Sequence, residues 1–230
     1  MAHVTDLPQW AVDRGKAMND VQALDCARTA LVVIDMQRVF MEPGEVFANP
    51  HAMDIMPAVN RLAAAFRAAG CPVIWTRQTV DDAPPLAMPD WQYDLSLPAV
   101  AEAVAVVRAG TSSHGLHPGM DVADADPVID KYRYSAFMCP AGALQQALDR
   151  LEAQCIVIAG TLTNCCCDST ARDGNMLGYR TIMVADACAA PTDAEHNAAL
   201  MLARLNFADV KTVAELEELL SHAEQGASQC

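Results

Sequence analysis

Short apolar runs alternate along the chain with stretches of helical periodicity. Ala30-Leu-Val-Val-Ile34, Val73-Ile-Trp-Thr76, Cys155-Ile-Val-Ile-Ala159 and Arg180-Thr-Ile-Met-Val-Ala185 are rich in Ile and Val with little alternation to polar residues. That is the pattern of strands buried on both faces. Asp126-Pro-Val-Ile-Asp130 and Ala208 to Thr212 read as two shorter strands. Between them the spacing predicts helices over Pro57 to Ala69, with Gly70 as C-cap, and over 99–109 and Pro140 to Glu152. Thr192-Asp-Ala-Glu195 is a capping box that opens a helix to about Leu205, and a last helix is expected from Val213 to His222. Strands alternating with helices throughout predict a three-layer α/β/α domain with a six-stranded, mostly parallel, Rossmann-like sheet. The expected division is an N-terminal arm over 1–28, one domain over 29–222 and a frayed tail over 223–230. The arm carries charge and Trp10 but little periodicity, and its expected role is to pack along the body or a neighbouring subunit.

Chemistry concentrates at the carboxyl ends of these strands, where open α/β sheets bind ligands. After Ala159 come Gly160, a turn, Thr163 or Asn164 as helix cap, and Cys165, Cys166 and Cys167 in the first helical turn. Free amide N–H groups and the positive dipole end there favour a thiolate. Asp35 follows the first strand and Lys131 the third. A carboxylate can take the thiol proton, an ammonium can offset the resulting charge, and helix-start N–H groups can hold an oxyanion. The set points to a cysteine hydrolase, and the pattern alone does not choose among the three cysteines.

Two long loops flank this set. Residues 79–98 hold four prolines, two aromatics and four acidic groups, the makings of a lid. His114 and His117 stand three apart without a third ligand at metal spacing, and are expected as loop or substrate-contact histidines.

Composition narrows the class further. At 230 residues and 53% hydrophobic content the chain can build a sizeable core, and its formal net charge of −14 argues against nucleic acid or anionic membrane as partner. No run reaches the roughly 18 apolar residues of a membrane span. The start lacks the apolar core of a signal peptide, and nine cysteines then imply a reducing, cytoplasmic setting without a disulfide framework. Zinc-type Cys/His spacings are absent, so no metal or other cofactor is expected.

Three blocks resemble the isochorismatase-like cysteine hydrolase family: ALVVIDMQRVF (30–40), VIDKYRYSAF (128–137) and GTLTNCCCDSTARDG (160–174). The third is the most specific, and aligning Thr163-Asn164 with the family's TN pair places the nucleophile at Cys166. The resemblance then implies Asp35 as base and Lys131 as its charge partner. It implies a non-proline cis peptide between Thr161 and Leu162, with the Leu162 and Cys166 amides as the oxyanion hole. The implied reaction is metal-independent C–N cleavage through a thioester. Val39 departs from the Asp of nicotinamidase-type members, and residues 77–90 lack their metal-cluster histidine. Lys131-Tyr-Arg-Tyr-Ser135 is similar to the run of ureidoacrylate amidohydrolases, enzymes that act on a ureido or carbamoyl group. Arg77, Gln78, Trp91, Arg133 and Tyr134 are therefore expected to contact a small substrate. Alternatives are hydrolysis of another small amide or a vinyl ether, or a silent binding protein of the same fold. The family also implies a homo-oligomer, a dimer or tetramer.

Overall fold

The computed structural model describes residues 3–227 as a six-stranded parallel sheet with helices on both faces. In chain order the strands are β1 (Thr29–Ile34), β2 (Val73–Gln78), β3 (Val128–Lys131), β4 (Cys155–Thr161), β5 (Arg180–Ala189) and β6 (Asp209–Lys211). They lie in the order β3-β2-β1-β4-β5-β6 and every neighbouring pair is parallel. The expected fold class is therefore found. The helices are α1 (Gln9–Asn19), α2 (Arg38–Met41), α3 (Ala52–Ala68), α4 (Pro98–Ala105), α5 (Ala143–Arg150), α6 (Asp168–Met176), α7 (Asp193–Asn206) and α8 (Val213–Ala227).

Side chains on alternate strand positions build two cores. Leu31, Val33, Trp75, Val157 and Val184 face α3 and α8 on one side of the sheet. Val32, Ile34, Ile74, Ile158 and Met183 face the opposite side, with residues of α5, α6 and α7. All six residues of β1 and all seven of β4 are buried, which is why their sequences show no polar alternation. A third, smaller cluster of Val39, Val80, Val104 and Val107 stands apart from both. It is built by α2, α4 and the start of the 79–98 loop.

Local chemistry moves several boundaries from those expected. α3 starts at Ala52 rather than Pro57, so the proline stands inside the helix in its second turn. α5 is shorter than expected, because Gly142 in left-handed conformation (φ 61°) precedes it. β5 continues past Asp186 to Ala189, after a register shift opposite Ile158 and Gly160. The α7 capping box is as expected: the Thr192 hydroxyl accepts from Glu195 N at 3.2 Å and donates to Glu195 Oε2 at 2.7 Å. α8 runs to Ala227, so residues 223–227 of the expected frayed tail are helical, and 228–230 lie outside the described residues. The arm folds as α1 along α7, with Gly15 seated on the Arg204 backbone.

The sheet order reverses between β1 and β4, and a cleft opens there at the carboxyl edge. Ile34 and Gly160 face each other at this point. Gly160 has φ 116°, and a Cβ there would stand 2.1 Å from the Ile34 carbonyl oxygen. Only glycine lets the two strands close at this edge. Gly160→Ala is expected to cost about 2–4 kcal/mol of folding stability, from combined strain and overpacking, read from the shift of a urea unfolding midpoint. A shift under about 0.5 kcal/mol would show that the approach is not close.

Candidate active site

Asp35, Lys131 and Cys166 converge at the switch between β1 and β4. Lys131 stands at the end of β3, in register with Gln78 of β2, so its stem must cross β2 to reach Asp35 beyond β1. Strands stand about 4.8 Å apart, so β3 and β1 are about 10 Å apart, a gap that the lysine stem and the Asp35 side chain close between them. Its Nζ lies 2.7 Å from Asp35 Oδ2 and 3.5 Å from Cys166 Sγ. It also donates to Gln78 Oε1 at 2.7 Å and to the Arg133 carbonyl at 3.1 Å. Asp35 and Lys131 are both wholly buried, and Cys166 is nearly so.

Asp35 is held from two sides. Thr76 donates its hydroxyl to Oδ1 at 2.8 Å, and the Asp35 backbone adopts φ 50°, a left-handed conformation that Asp tolerates better than most residues. Oδ2 faces the Lys131 ammonium at 2.7 Å, and that contact holds the other side of the carboxylate. Burial pulls the Lys131 amine down, but the Asp35 carboxylate and Cys166 outweigh it, and the net shift is upward. The lysine is a fixed cation. The Cys166 thiol is pushed up by its hydrogen bond with the Cys165 thiol, by burial and by the Asp35 charge, against the pull of Lys131. The same contact draws Cys165 down. Lys131 Nζ is within reach of Cys166 Sγ, and Asp35 is its charge partner. The raised Cys166 value favours the thiol over the thiolate at rest.

The cysteines sit on a π-turn, Thr163–Cys167, from which α6 continues. Such turns recur at functional sites because the widened ring displaces one residue from the α-helical ladder. Here the Leu162 carbonyl accepts from Cys165 N and Cys167 N, both at 3.1 Å. Thr161–Leu162 is a cis peptide, as the family resemblance implied. Neither Thr163 nor Asn164 caps a helix, contrary to expectation. The Thr163 hydroxyl bonds His196 Nδ1 at 2.9 Å, and Asn164 donates to Glu195 Oε1 at 3.3 Å. The start of α7 thus holds the nucleophile turn. Burial brings the His196 value down to about 4, so the ring that supports Thr163 is neutral at pH 7. On the far side of the turn, Thr170 donates to the Cys166 carbonyl at 2.7 Å and accepts from Ala136 N at 3.1 Å.

A cavity of about 340 Å³ opens onto this site, lined by Asp35, Thr161, Leu162, Cys165 and Cys166 at the chemical end. Gln78 and Tyr134, expected as substrate contacts, also line it, and so does Tyr93 of the lid. Burial, then the Tyr134 hydroxyl, push the Tyr93 phenol up, leaving it a neutral donor. Arg77, Arg133 and Trp91 do not line this cavity. Arg77 alternates to the other face of β2 and pairs with Asp130 at 2.7 Å. Arg133 folds back onto the carbonyls of Pro85, Leu86 and Tyr132 and ties the lid down. Trp91 is 88% exposed. A larger cavity of about 680 Å³, near Arg28 and Arg180, lies at the opposite sheet edge and holds none of the triad.

Sequence reasoning missed Thr76, His196 and Gln37, which accepts from Gln78 N at 2.6 Å. For Thr76 a signal existed: it shares pleat parity with Gln78, one residue past the end of the apolar run. His114 lies on the loop between α4 and β3, as expected, buried with its Nε2 2.8 Å from the Thr79 hydroxyl, and His117 lies near Glu42. Among the described residues, one group could gather a metal ion, His3, His51 and Asp193. Its His3 already bonds Asp193 Oδ1 at 2.6 Å and Ala190 at 3.0 Å, as a latch for the arm.

The isochorismatase domain model matches residues 29–215. The chain is 33% identical over 223 residues to the ureidoacrylate amidohydrolase RutB of Methylobacterium radiotolerans, covering 89% of this chain and 85% of that protein. It is 31% identical over 198 residues to the isochorismatase family protein YecD of Escherichia coli O157:H7, covering 84% and 96%. Among solved structures, a cysteine hydrolase from Pseudomonas syringae pv. phaseolicola superposes with a TM-score of 0.79 at 28% identity, covering 88% of this chain and 97% of that one.

The buried pair makes a direct prediction. Lys131→Met leaves the Asp35 charge uncompensated and is expected to cost about 3–5 kcal/mol in denaturant unfolding. The double variant Asp35→Asn/Lys131→Met is expected to recover more than half of that loss. Additive losses would show that the two groups are not energetically coupled.

Proposed function

The chain belongs to the isochorismatase family, and from that premise we propose that it is a cysteine-dependent amidohydrolase acting on a small amide, ureido or carbamoyl substrate. The single observation that carries the reading is the buried Asp35–Lys131–Cys166 convergence, with Lys131 Nζ in reach of both the carboxylate and the sulfur.

The substrate carbonyl enters beside Cys166 at the floor of the cavity. Asp35 Oδ2 takes the thiol proton as Sγ attacks the carbonyl carbon. The resulting oxyanion is held by the backbone N–H groups of Leu162 and Cys166, in a dry pocket where such donors are worth most. Protonated Asp35 then gives its proton to the leaving nitrogen, the C–N bond breaks, and an acyl thioester stays on Cys166. Water attacks the thioester with Asp35 again as base, and the acid departs as the thiol reforms. Lys131 keeps its proton throughout. Its role is to fix Asp35 and to balance the negative charge that moves between carboxylate, sulfur and oxyanion. None of these steps requires a metal.

An ammonia-release screen over small amides, ureido acids, N-carbamoyl amino acids and nicotinamide tests the reading. Cys166→Ala is expected to lower kcat by about 10³-fold or more, and Asp35→Asn by about 10²–10⁴-fold. Cys165→Ala is expected to retain activity within a few-fold, and a chelator to leave it unchanged. Full turnover by Cys166→Ala, or loss confined to Cys165→Ala, contradicts the assignment.

A further inference from the structure

The cavity is chemically two-ended. Beyond the triad its walls are Phe40, Val46, Phe47, Val80, Val104 and Val107. Four residues (Val39, Val80, Val104 and Val107) form a hydrophobic cluster of their own, packed with Phe40, Phe47 and Tyr93 and separate from the two cores of the sheet. The cluster therefore is not the back of a core that the fold needs. It is an apolar chamber raised over the reacting centre by α2, α4 and the lid.

No cationic side chain lines this chamber among the described residues. The cations nearest its walls are committed elsewhere. Arg38 pairs with Glu42 at 2.9 Å, Arg108 with Asp82 at 2.6 Å and Arg77 with Asp130 at 2.7 Å. Arg133 is turned onto lid carbonyls, and the Lys131 ammonium is surrounded by Asp35, Gln78, Arg133 O and Cys166. His114 is lowered by burial and bonded to Thr79. Gln78 donates to the Thr79 carbonyl and accepts from Lys131, and the other polar side chains of the lining, Tyr93, Tyr134 and Thr161, offer hydroxyl groups and no cation. A substrate carboxylate seated in the chamber would lose water with only hydroxyl groups to replace it and no cation to balance its charge. It would face the Asp35 charge in a protein of net charge −14.

Resting on the amidohydrolase reading, we infer that the site selects uncharged amides carrying an apolar acyl or aryl group, and excludes carboxylate-bearing ureido and carbamoyl acids. The polar end reads the carboxamide, and the Phe40–Phe47–Val107 end takes the hydrocarbon. The name of the ureidoacrylate amidohydrolase relatives denotes a substrate with a carboxylate, so on this point the chain departs from them.

Heptanamide and adipamic acid make a matched pair, because in the second a carboxylate replaces the terminal ethyl group of the first. Calorimetric titration of Cys166→Ala, which cannot form the thioester, reads recognition apart from turnover. Heptanamide is expected to bind at least tenfold tighter than adipamic acid or ureidoacrylate, and wild-type kcat/KM for ammonia release to favour it by about 10²-fold. Val46→Arg, at the exposed rim of the chamber, is expected to move the binding ratio toward adipamic acid by about tenfold. Equal or tighter binding of either acid, or no binding of heptanamide up to 10 mM, which is roughly the weak limit for a specific small-molecule site, overturns the inference. If heptanamide binds selectively but the wild type releases no ammonia from it, the hydrolase reading fails and the apolar selectivity stands.

Discussion

The rest of the site depends on a buried ion pair. Asp35 and Lys131 lie wholly out of water, and each alone would be costly there. The cost is offset because nearly every valence is used. Lys131 Nζ has four neighbours able to accept or balance its charge, and Asp35 Oδ1 takes the Thr76 hydroxyl. Oδ2 faces the Lys131 ammonium. A pair of this kind needs rigid walls, and the fully buried β1 and β4 strands supply them. It also needs the strand order found here. With β2 between β3 and β1, the lysine stem spans one strand, and Gln78 of that strand catches the ammonium on the way.

From this pair outward, charge falls and then vanishes. The π-turn is held by His196, neutral at pH 7, and by Thr170. Farther out the chamber is hydrocarbon. In the proposed reading, reaction and recognition are carried by different parts of the chain: strand ends and a π-turn for the first, and a hydrophobic roof of loops and short helices for the second. Loop-built roofs are where members of one fold differ in what they admit.

Much of this was legible in the sequence, and the failures have physical reasons. The strands were readable because burial on both faces leaves no polar alternation, and Asp35 and Lys131 were legible as candidates because each stands at a strand end. The family pattern chose Cys166, and the Lys131 contact agrees with that choice. Thr163 and Asn164 were expected as caps because a local signal cannot show that α7, some 30 residues away, claims both side chains. Arg77 and Arg133 were expected in the pocket because a charge near a site suggests recognition. Pleat parity would have sent Arg77 to the face opposite Gln78. No local pattern could show Arg133 folded onto lid carbonyls. The apolar chamber was invisible because its walls come from four separate stretches between 40 and 107, none of which reads as more than loop or short helix.

The most direct measurement is rapid-quench mass spectrometry of the wild-type enzyme during turnover of an amide it hydrolyses, followed by peptide mapping. The account predicts a transient adduct, equal in mass to the acyl group, on Cys166 and on no other residue, slower to form in Asp35→Asn. An adduct on Cys165, or turnover at full rate with no covalent intermediate detected on the enzyme, would contradict it.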